Sequence, residues 1–159
     1  MINQGFQHLP FVVVAAAIIY QEEKFLLTRR KLDAHQGGLW EFPGGKQEAG
    51  ETLEQCLQRE LKEEIDITVG NVQPFYVLRH RYPDKEVELH FFTCSMYEGN
   101  PQPLGCIEMA WVSRHELASY EFPVADQPVV KEIIQGRLEN EFLTSSLSPN
   151  LLVADEDCS

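Results

Sequence analysis

Residues 45–67 read GKQEAGETLEQCLQRELKEEIDI, and the rest of the chain is best understood outward from this stretch. From Glu51 the pattern is helical. Thr52 is a suitable N-cap, and Leu53, Leu57, Leu61 and Ile65 recur every four residues, which predicts one apolar face to bury. Glu60 and Glu64 stand one turn apart with Glu63 beside them, so three carboxylates project from the last turn. They repel one another, and they sit at the end of the helix whose dipole favours cations. Arg59 and Lys62 offset part of that charge. A hard divalent cation would offset it better, and magnesium commonly takes a few carboxylates together with waters and substrate phosphates. For the string ELKEE taken alone, a solvated acidic helix face is the plain alternative.

The spacing makes the stretch specific. Gly45 is followed after five residues by Glu51, and Glu51 after seven by Arg59, Glu60 and Leu61; Glu63 and Glu64 come one residue on, and Asp66 and Ile67 one residue after those. This closely resembles the Nudix box: G, five residues, E, seven residues, then R-E-U-x-E-E-x-G-U, with U a bulky aliphatic residue. Every defining position matches except the late glycine, where Asp66 stands. Glycine after a helix usually takes the left-handed conformation, and aspartate is among the few other residues that tolerate it, so the turn is expected to survive the change.

At 159 residues the chain is one domain's worth and long enough for a proper core. A domain over residues 1–142 is expected, followed by a loose tail over 143–159, where periodicity is lost. Twenty-five acidic against thirteen basic residues give a formal charge of −12. That balance argues against a protein that tracks a nucleic-acid backbone, and a polyanionic substrate would need a metal as a bridge. The longest apolar run, Phe11 to Ile19, is too short to span a bilayer and lacks the basic lead-in of a secretory signal. Cys56, Cys94, Cys106 and Cys158 form no CxxC pair and no zinc-type spacing with the histidines, so a reducing cytoplasm is the simplest home.

Along the chain, Phe11 to Tyr20 reads as a strand buried on both faces and Lys24 to Arg30 as its return. Trp40 and Phe42 alternate with Glu41 in a short strand pattern that Pro43, Gly44 and Gly45 break. After the helix, Val72 to Tyr82 and Val87 to Tyr97 read as a hairpin turned at Pro83 and Asp84, with His80 and His90 expected on strand surfaces. Glu108 to Val112 reads as a last strand, with a brief helix capped by Ser113 after it. QPVVKEIIQGRL, residues 127–138, reads as an amphipathic helix for which Asp126 is a possible cap.

The resemblance to the MutT-type branch of the Nudix family extends over roughly residues 10 to 138, through LLTRRKLDAH, LWEFPGGK, YPD at Tyr82 to Asp84, and EFPVADQPVV. It implies a Nudix fold, an α/β (or α+β) arrangement with a mixed β-sheet sandwiched between α-helices. It implies that Glu60, Glu63 and Glu64 hold Mg2+, with Mn2+ as a possible substitute, that the Gly45 carbonyl joins them, and that Arg59 pairs with Glu51. A box glutamate, Glu51, Glu63 or Glu64, is then a candidate general base, because counting back six residues from Trp111, where this branch often carries a loop glutamate, lands on Gly105. Substrate contacts are implied for Arg30, at phosphate or base, for Lys46 beside the phosphates, and for Tyr82 and Asp84 of the hairpin. The base is expected near His35, Phe42 and Asp126.

The implied activity is hydrolysis of oxidised or modified nucleoside triphosphates, 8-oxo-dGTP first, to monophosphate and pyrophosphate. Such an enzyme serves nucleotide-pool sanitation and DNA repair as a monomer or homodimer, with neither nucleic-acid polymer nor membrane as partner. Two alternatives stand beside it. One is another nucleoside diphosphate derivative, such as modified CTP or dCTP, a dinucleoside polyphosphate or an ADP-sugar; the other is a non-catalytic Nudix-like binding domain. An ionised Asp126 would accept hydrogen bonds only, from an amino or ring N–H group.

Overall fold

The computed structural model describes residues 8–138 and the backbone of residues 152–156. Two long strands, β1 (Phe11–Gln21) and β2 (Lys24–Arg29), form a hairpin paired only at its turn, Tyr20 opposite Phe25 and Gln21 opposite Lys24. Beyond that turn they splay. The wedge between them is filled by β3 (Trp40–Glu41), antiparallel to β2, and β4 (Gly44–Lys46), antiparallel to β1. The glycines therefore extend the sheet where the sequence predicts a break. Gly44 explains why: a Cβ there would lie 2.0 Å from the Ala15 carbonyl oxygen, so only a residue without a side chain lets these backbones pair.

The helix α1 (Leu53–Ile65) follows, and then β5 (Thr68–Arg81) and β6 (Glu86–Glu98) as an antiparallel pair. β6 runs parallel to β1, which makes the sheet mixed. β7 (Glu108–Ser113) returns to pair with β2. A 3-10 run at Arg114–Ser119 replaces the predicted brief helix, and a second 3-10 turn, Val124–Asp126, leads into α2 (Gln127–Ile134). α2 stops short of Leu138 because the chain turns at Gly136, whose φ of 83° is left-handed.

Two apolar cores lie on opposite faces of the sheet. Cys56, Leu57, Leu61 and Ile65 of α1 pack on Ala15, Ala17 and Leu26 on one face, while Val129, Val130 and Ile133 of α2 join Phe25, Phe75 and Phe91 on the other. This is the expected sandwich. The fully buried Leu57, Leu61 and Ile65 are the face that the four-residue repeat marks out.

One expectation is corrected at the C-terminus. Within the segment read as a loose tail, Leu152–Glu156 forms a strand, β8, parallel to β5 with Leu152 opposite Tyr76 and Glu156 opposite His80. The open outer edge of β5 offers unpaired backbone groups, and a short segment starting Leu-Val can take them up. His80 is corrected too: it is 4 % exposed rather than on a strand surface, with its ring 4.4 Å from that of Tyr82.

Candidate active site

α1 begins with a capping box: the Thr52 hydroxyl accepts from the Gln55 backbone N–H at 3.1 Å, and the Gln55 side chain accepts from the Thr52 N–H at 2.9 Å. It ends at Asp66 in the left-handed conformation, φ 58° and ψ 42°, with its N–H donating to the carbonyls of Leu61 and Lys62. Aspartate thus fills the turn that the box pattern gives to glycine.

Arg59 ties the preceding loop to the helix. Its Nε and Nη2 each donate to Glu51 at 2.8 Å, Nη2 also reaches the Lys46 carbonyl at 2.9 Å, and Nη1 reaches Glu60 at 2.8 Å and Glu63 at 3.3 Å. The Arg59 guanidinium, helped by the Glu48 N–H at 2.7 Å, pulls the Glu51 carboxyl down to about 2. Glu51 is therefore engaged as a structural anion, and a base held so far below neutrality is a weak proton acceptor.

The other two carboxylates differ. Glu64 is 8 % exposed, under the Gly44 N–H at 3.4 Å, and burial followed by the Glu41 charge pushes it up to about 8. The buried Thr28 hydroxyl exerts a small opposite pull, yet it completes no hydrogen bond in this geometry. Glu60 is also raised, by burial first and then by Glu63 and Glu48 against the opposing pull of Arg59. Its carboxylate lies against Gly45, where an added Cβ would come 2.2 Å from the Glu60 Cδ. Glu63 is exposed and turned to Arg59.

Among the described residues, no three acidic, histidine or cysteine side chains are gathered at metal-binding distances. The donor set nevertheless suits a hard divalent cation. Glu60 and Glu64 are half-buried and buried carboxylates whose charged forms burial and neighbouring anions disfavour, a condition that a cation between them relieves. Gly45 lies against Glu60, and its carbonyl accepts from the Cys56 thiol at 3.5 Å.

These two glycines should respond differently to alanine. Gly44→Ala forces a side chain into the Ala15 backbone and should destabilise the fold by about 3 kcal/mol or more in urea unfolding. At Gly45→Ala the three nearest atoms all belong to the movable end of Glu60, so the fold should hold while the magnesium needed for half-maximal activity rises about tenfold.

The carboxylates face a cavity of about 700 Å³ that also holds Gly45, Lys46, Arg30, His35, Phe42, Tyr82 and Asp126. Glu51, Arg59, Glu63 and Asp84 are not in its lining, although Asp84 acts by charge on His35, which is. Phe42 is almost fully buried, its ring packed against Phe91 and Phe122, so it is core and cavity wall at once. The His35 ring meets Tyr82 edge-on at 5.4 Å, and its pKa is lowered by burial and then by Lys85 and Arg30.

Asp126 makes no capping hydrogen bond to α2, because the 3-10 turn runs into the helix and leaves Asp126 in helical rather than extended backbone. Its side chain is buried, and burial with the Glu41 charge raises it to about 8. Burial thus favours its protonated form, which both donates and accepts, whereas the ionised form accepts only.

Reading the sequence also missed Glu41, which lines the cavity. The available signal was a charged residue held between two large aromatics in a two-residue strand. Cys106 lines the cavity beside Gly105, whose backbone N–H bonds the Glu64 carbonyl at 2.9 Å, where the branch often has its loop acid.

A mixed sheet between helices thus carries a carboxylate pair and a buried acid on the lining of one cavity, an arrangement that fits a hydrolase of the α/β/α sandwich type. The NUDIX domain model matches residues 14–132, and the chain belongs to the Nudix family, whose members are generally dependent on divalent metal. It is 38% identical over 121 residues to the 8-oxo-dGTP diphosphatase of Escherichia coli strain K12, covering 76% of this chain and 94% of that protein. With the CTP pyrophosphohydrolase of the same strain it shares 35% over 133 residues, 81% and 96% of the two chains. A solved structure from work on MutT of Aliivibrio salmonicida and Vibrio cholerae superposes with a TM-score of 0.68 at 38% identity, over 79% of this chain and 98% of that one. No helix among the described residues is long and apolar enough to cross a membrane.

Proposed function

We propose that this protein is a magnesium-dependent pyrophosphohydrolase that converts oxidised or modified nucleoside triphosphates, 8-oxo-dGTP first, to the monophosphate and pyrophosphate. The observation that carries this reading is the shared cavity, whose lining holds Glu60 and Glu64 together with the buried Asp126. The carboxylate pair suits a metal-bridged phosphate chain, and Asp126 suits a base that offers both a donor and an acceptor.

Glu60, Glu64 and the Gly45 carbonyl would hold the metal, with Glu63 released from Arg59 as a further ligand. A bound divalent ion neutralises charge on phosphate oxygens and lowers the pKa of an attacking water. The chain's own part is positional. Arg59 and Glu51 lock the loop that presents Gly45, Lys46 lies beside the phosphates, and His35, Phe42 and Tyr82 close around the base. A box carboxylate within reach of the water would take its proton; with Glu51 locked in its ion pair, Glu63 or Glu64 is the better candidate, whichever of the two is left off the metal.

A keto base with an adjacent ring N–H, as in 8-oxoguanine, presents one acceptor and one donor to a protonated Asp126. Modified cytosine is the second reading, favoured by the similarity to a protein named for CTP and by the ability of the same side chain to ionise and accept from an amino group. Buried, unpaired Cys56, Cys94 and Cys106 suit a reducing cytoplasm. We place the catalytic unit in residues 1–142, as a monomer or homodimer.

Product analysis tests the reaction type. Incubation with 8-oxo-dGTP and magnesium should yield monophosphate and pyrophosphate in equal amounts, and nothing in EDTA. Release of orthophosphate, or turnover unaffected by the chelator, would contradict the assignment.

A further inference from the structure

Arg30 and Glu41 face each other across the β2–β3 edge, with Arg30 Nη1 donating to Glu41 Oε2 at 2.8 Å, and both line the cavity. The pair is partly buried, with side chains 30% and 22% exposed. Register explains the meeting: Arg29 lies opposite Trp40 and Thr28 opposite Glu41, so the two-residue strand delivers one acid to the end of β2, where Arg30 leaves the sheet. The Arg30 backbone is pinned as well, its N–H donating to the Leu39 carbonyl at 2.9 Å and its carbonyl accepting from the Gly38 N–H at 3.0 Å.

Two further observations point at a ligand. The Arg30 side chain is only partly engaged by that contact: it stays 30% exposed and lines the cavity, while its Nε is buried without a hydrogen-bond partner. Arg30 also acts by charge on both His35 and Asp126, the residues expected beside the base. Glu41 takes one edge of the guanidinium, and the partly exposed remainder of the side chain faces the cavity.

We infer that Glu41 is a positioning residue: through its ion pair it holds the Arg30 guanidinium in the orientation from which its cavity-facing N–H groups donate to an oxygen of the bound nucleoside. This rests on the nucleotide reading above and deepens it, because it assigns the nucleoside end of the cavity its fixed donor. A carboxylate next to Glu60 and Glu64 suggests a different role, a further metal ligand. Its engagement with Arg30 separates the two, since an anion already sharing its charge with a guanidinium is a poorer metal ligand.

The test is a double-mutant cycle on the full chain with two readouts. Binding of 8-oxo-dGMP in EDTA, by calorimetry, reads the nucleoside contact without metal or turnover; kcat and KM for 8-oxo-dGTP across a magnesium titration read the enzyme. Glu41→Gln and Arg30→Lys should each weaken monophosphate binding about tenfold or more, with the double variant no weaker than Arg30→Lys alone. KM should rise more than kcat falls, and half-saturating magnesium should not move. Glu41→Asp, whose shorter arm keeps the charge, should recover part of the loss, and circular dichroism melts screen each variant for folding.

Losses that multiply in the double variant, or a magnesium requirement shifted by Glu41→Gln, would overturn the positioning role. So would a folded Glu41→Gln that binds the monophosphate as the wild type does. If the wild type neither binds the monophosphate nor cleaves the triphosphate, the nucleotide reading itself has failed, whatever the variants do.

Discussion

Glu64→Gln should abolish turnover while leaving the metal-free protein at least as stable as the wild type. The activity loss follows from removing a buried carboxylate at the proposed metal site, and we expect kcat to fall by about 10³-fold or more. The stability result follows from the same burial. Folding raises Glu64 from its ordinary carboxylate range to about 8, so the folded state binds a proton more tightly than the unfolded chain. Stability without metal is therefore fullest below about pH 4.5 and declines as pH rises toward 8, where the buried group must ionise. Glutamine mimics the protonated form and removes that decline. In EDTA, melting temperatures of wild type and variant should agree in acid and diverge in favour of the variant near pH 8. Magnesium should raise the wild-type value and have less effect on the variant. A variant that unfolds early at every pH would show that Glu64 is structural instead.

Asp126 gives the second large effect. Asp126→Ala removes the buried donor and acceptor at the base end and should lower kcat/KM for the best substrate about 100-fold, mostly through KM. Asp126→Asn keeps one donor and one acceptor, and should hold kcat/KM for 8-oxo-dGTP within about tenfold. The two forms separate in their pH dependence. With the folded pKa raised from 3.8 to about 8, Asp126 contributes stability that is complete below about pH 4 and lost as pH rises through 8. Each pKa unit corresponds to about 1.4 kcal/mol, so the asparagine variant should gain up to a few kcal/mol on the wild type across that window. Urea titrations at pH 5 and pH 8 measure it. Equal losses for alanine and asparagine would mean that the base is read elsewhere.

Much of this site is legible in the sequence because a helix records its burial every four residues. Leu57, Leu61 and Ile65 fixed the buried face of α1, and that orientation carries Glu60 and Glu64 toward the cavity and Glu63 away from it. The exposed position of Glu63 was not legible: box spacing places three carboxylates on one turn but does not say which one Arg59 captures. β4 was missed for a different reason. Gly44 and Gly45 read as a break because glycine is usually permissive, whereas here Gly44 is needed for close pairing with Ala15. Asp126 looked like a helix cap from position alone, and only the 3-10 turn before it shows that its side chain is free to enter the cavity. Glu41 and β8 depend on partners far along the chain, Arg30 and the β5 edge, and local pattern carries no trace of either meeting.

The most direct measurement is kcat/KM with magnesium for 8-oxo-dGTP, dGTP, 5-methyl-dCTP, dCTP and an ADP-sugar, for the wild type beside Glu64→Gln. Wild-type preference for a modified nucleoside triphosphate over its unmodified parent, with pyrophosphate as product and turnover lost in Glu64→Gln, is the expected result. Preference for the ADP-sugar, or no cleavage of any of the five by a folded protein that binds magnesium, would contradict it.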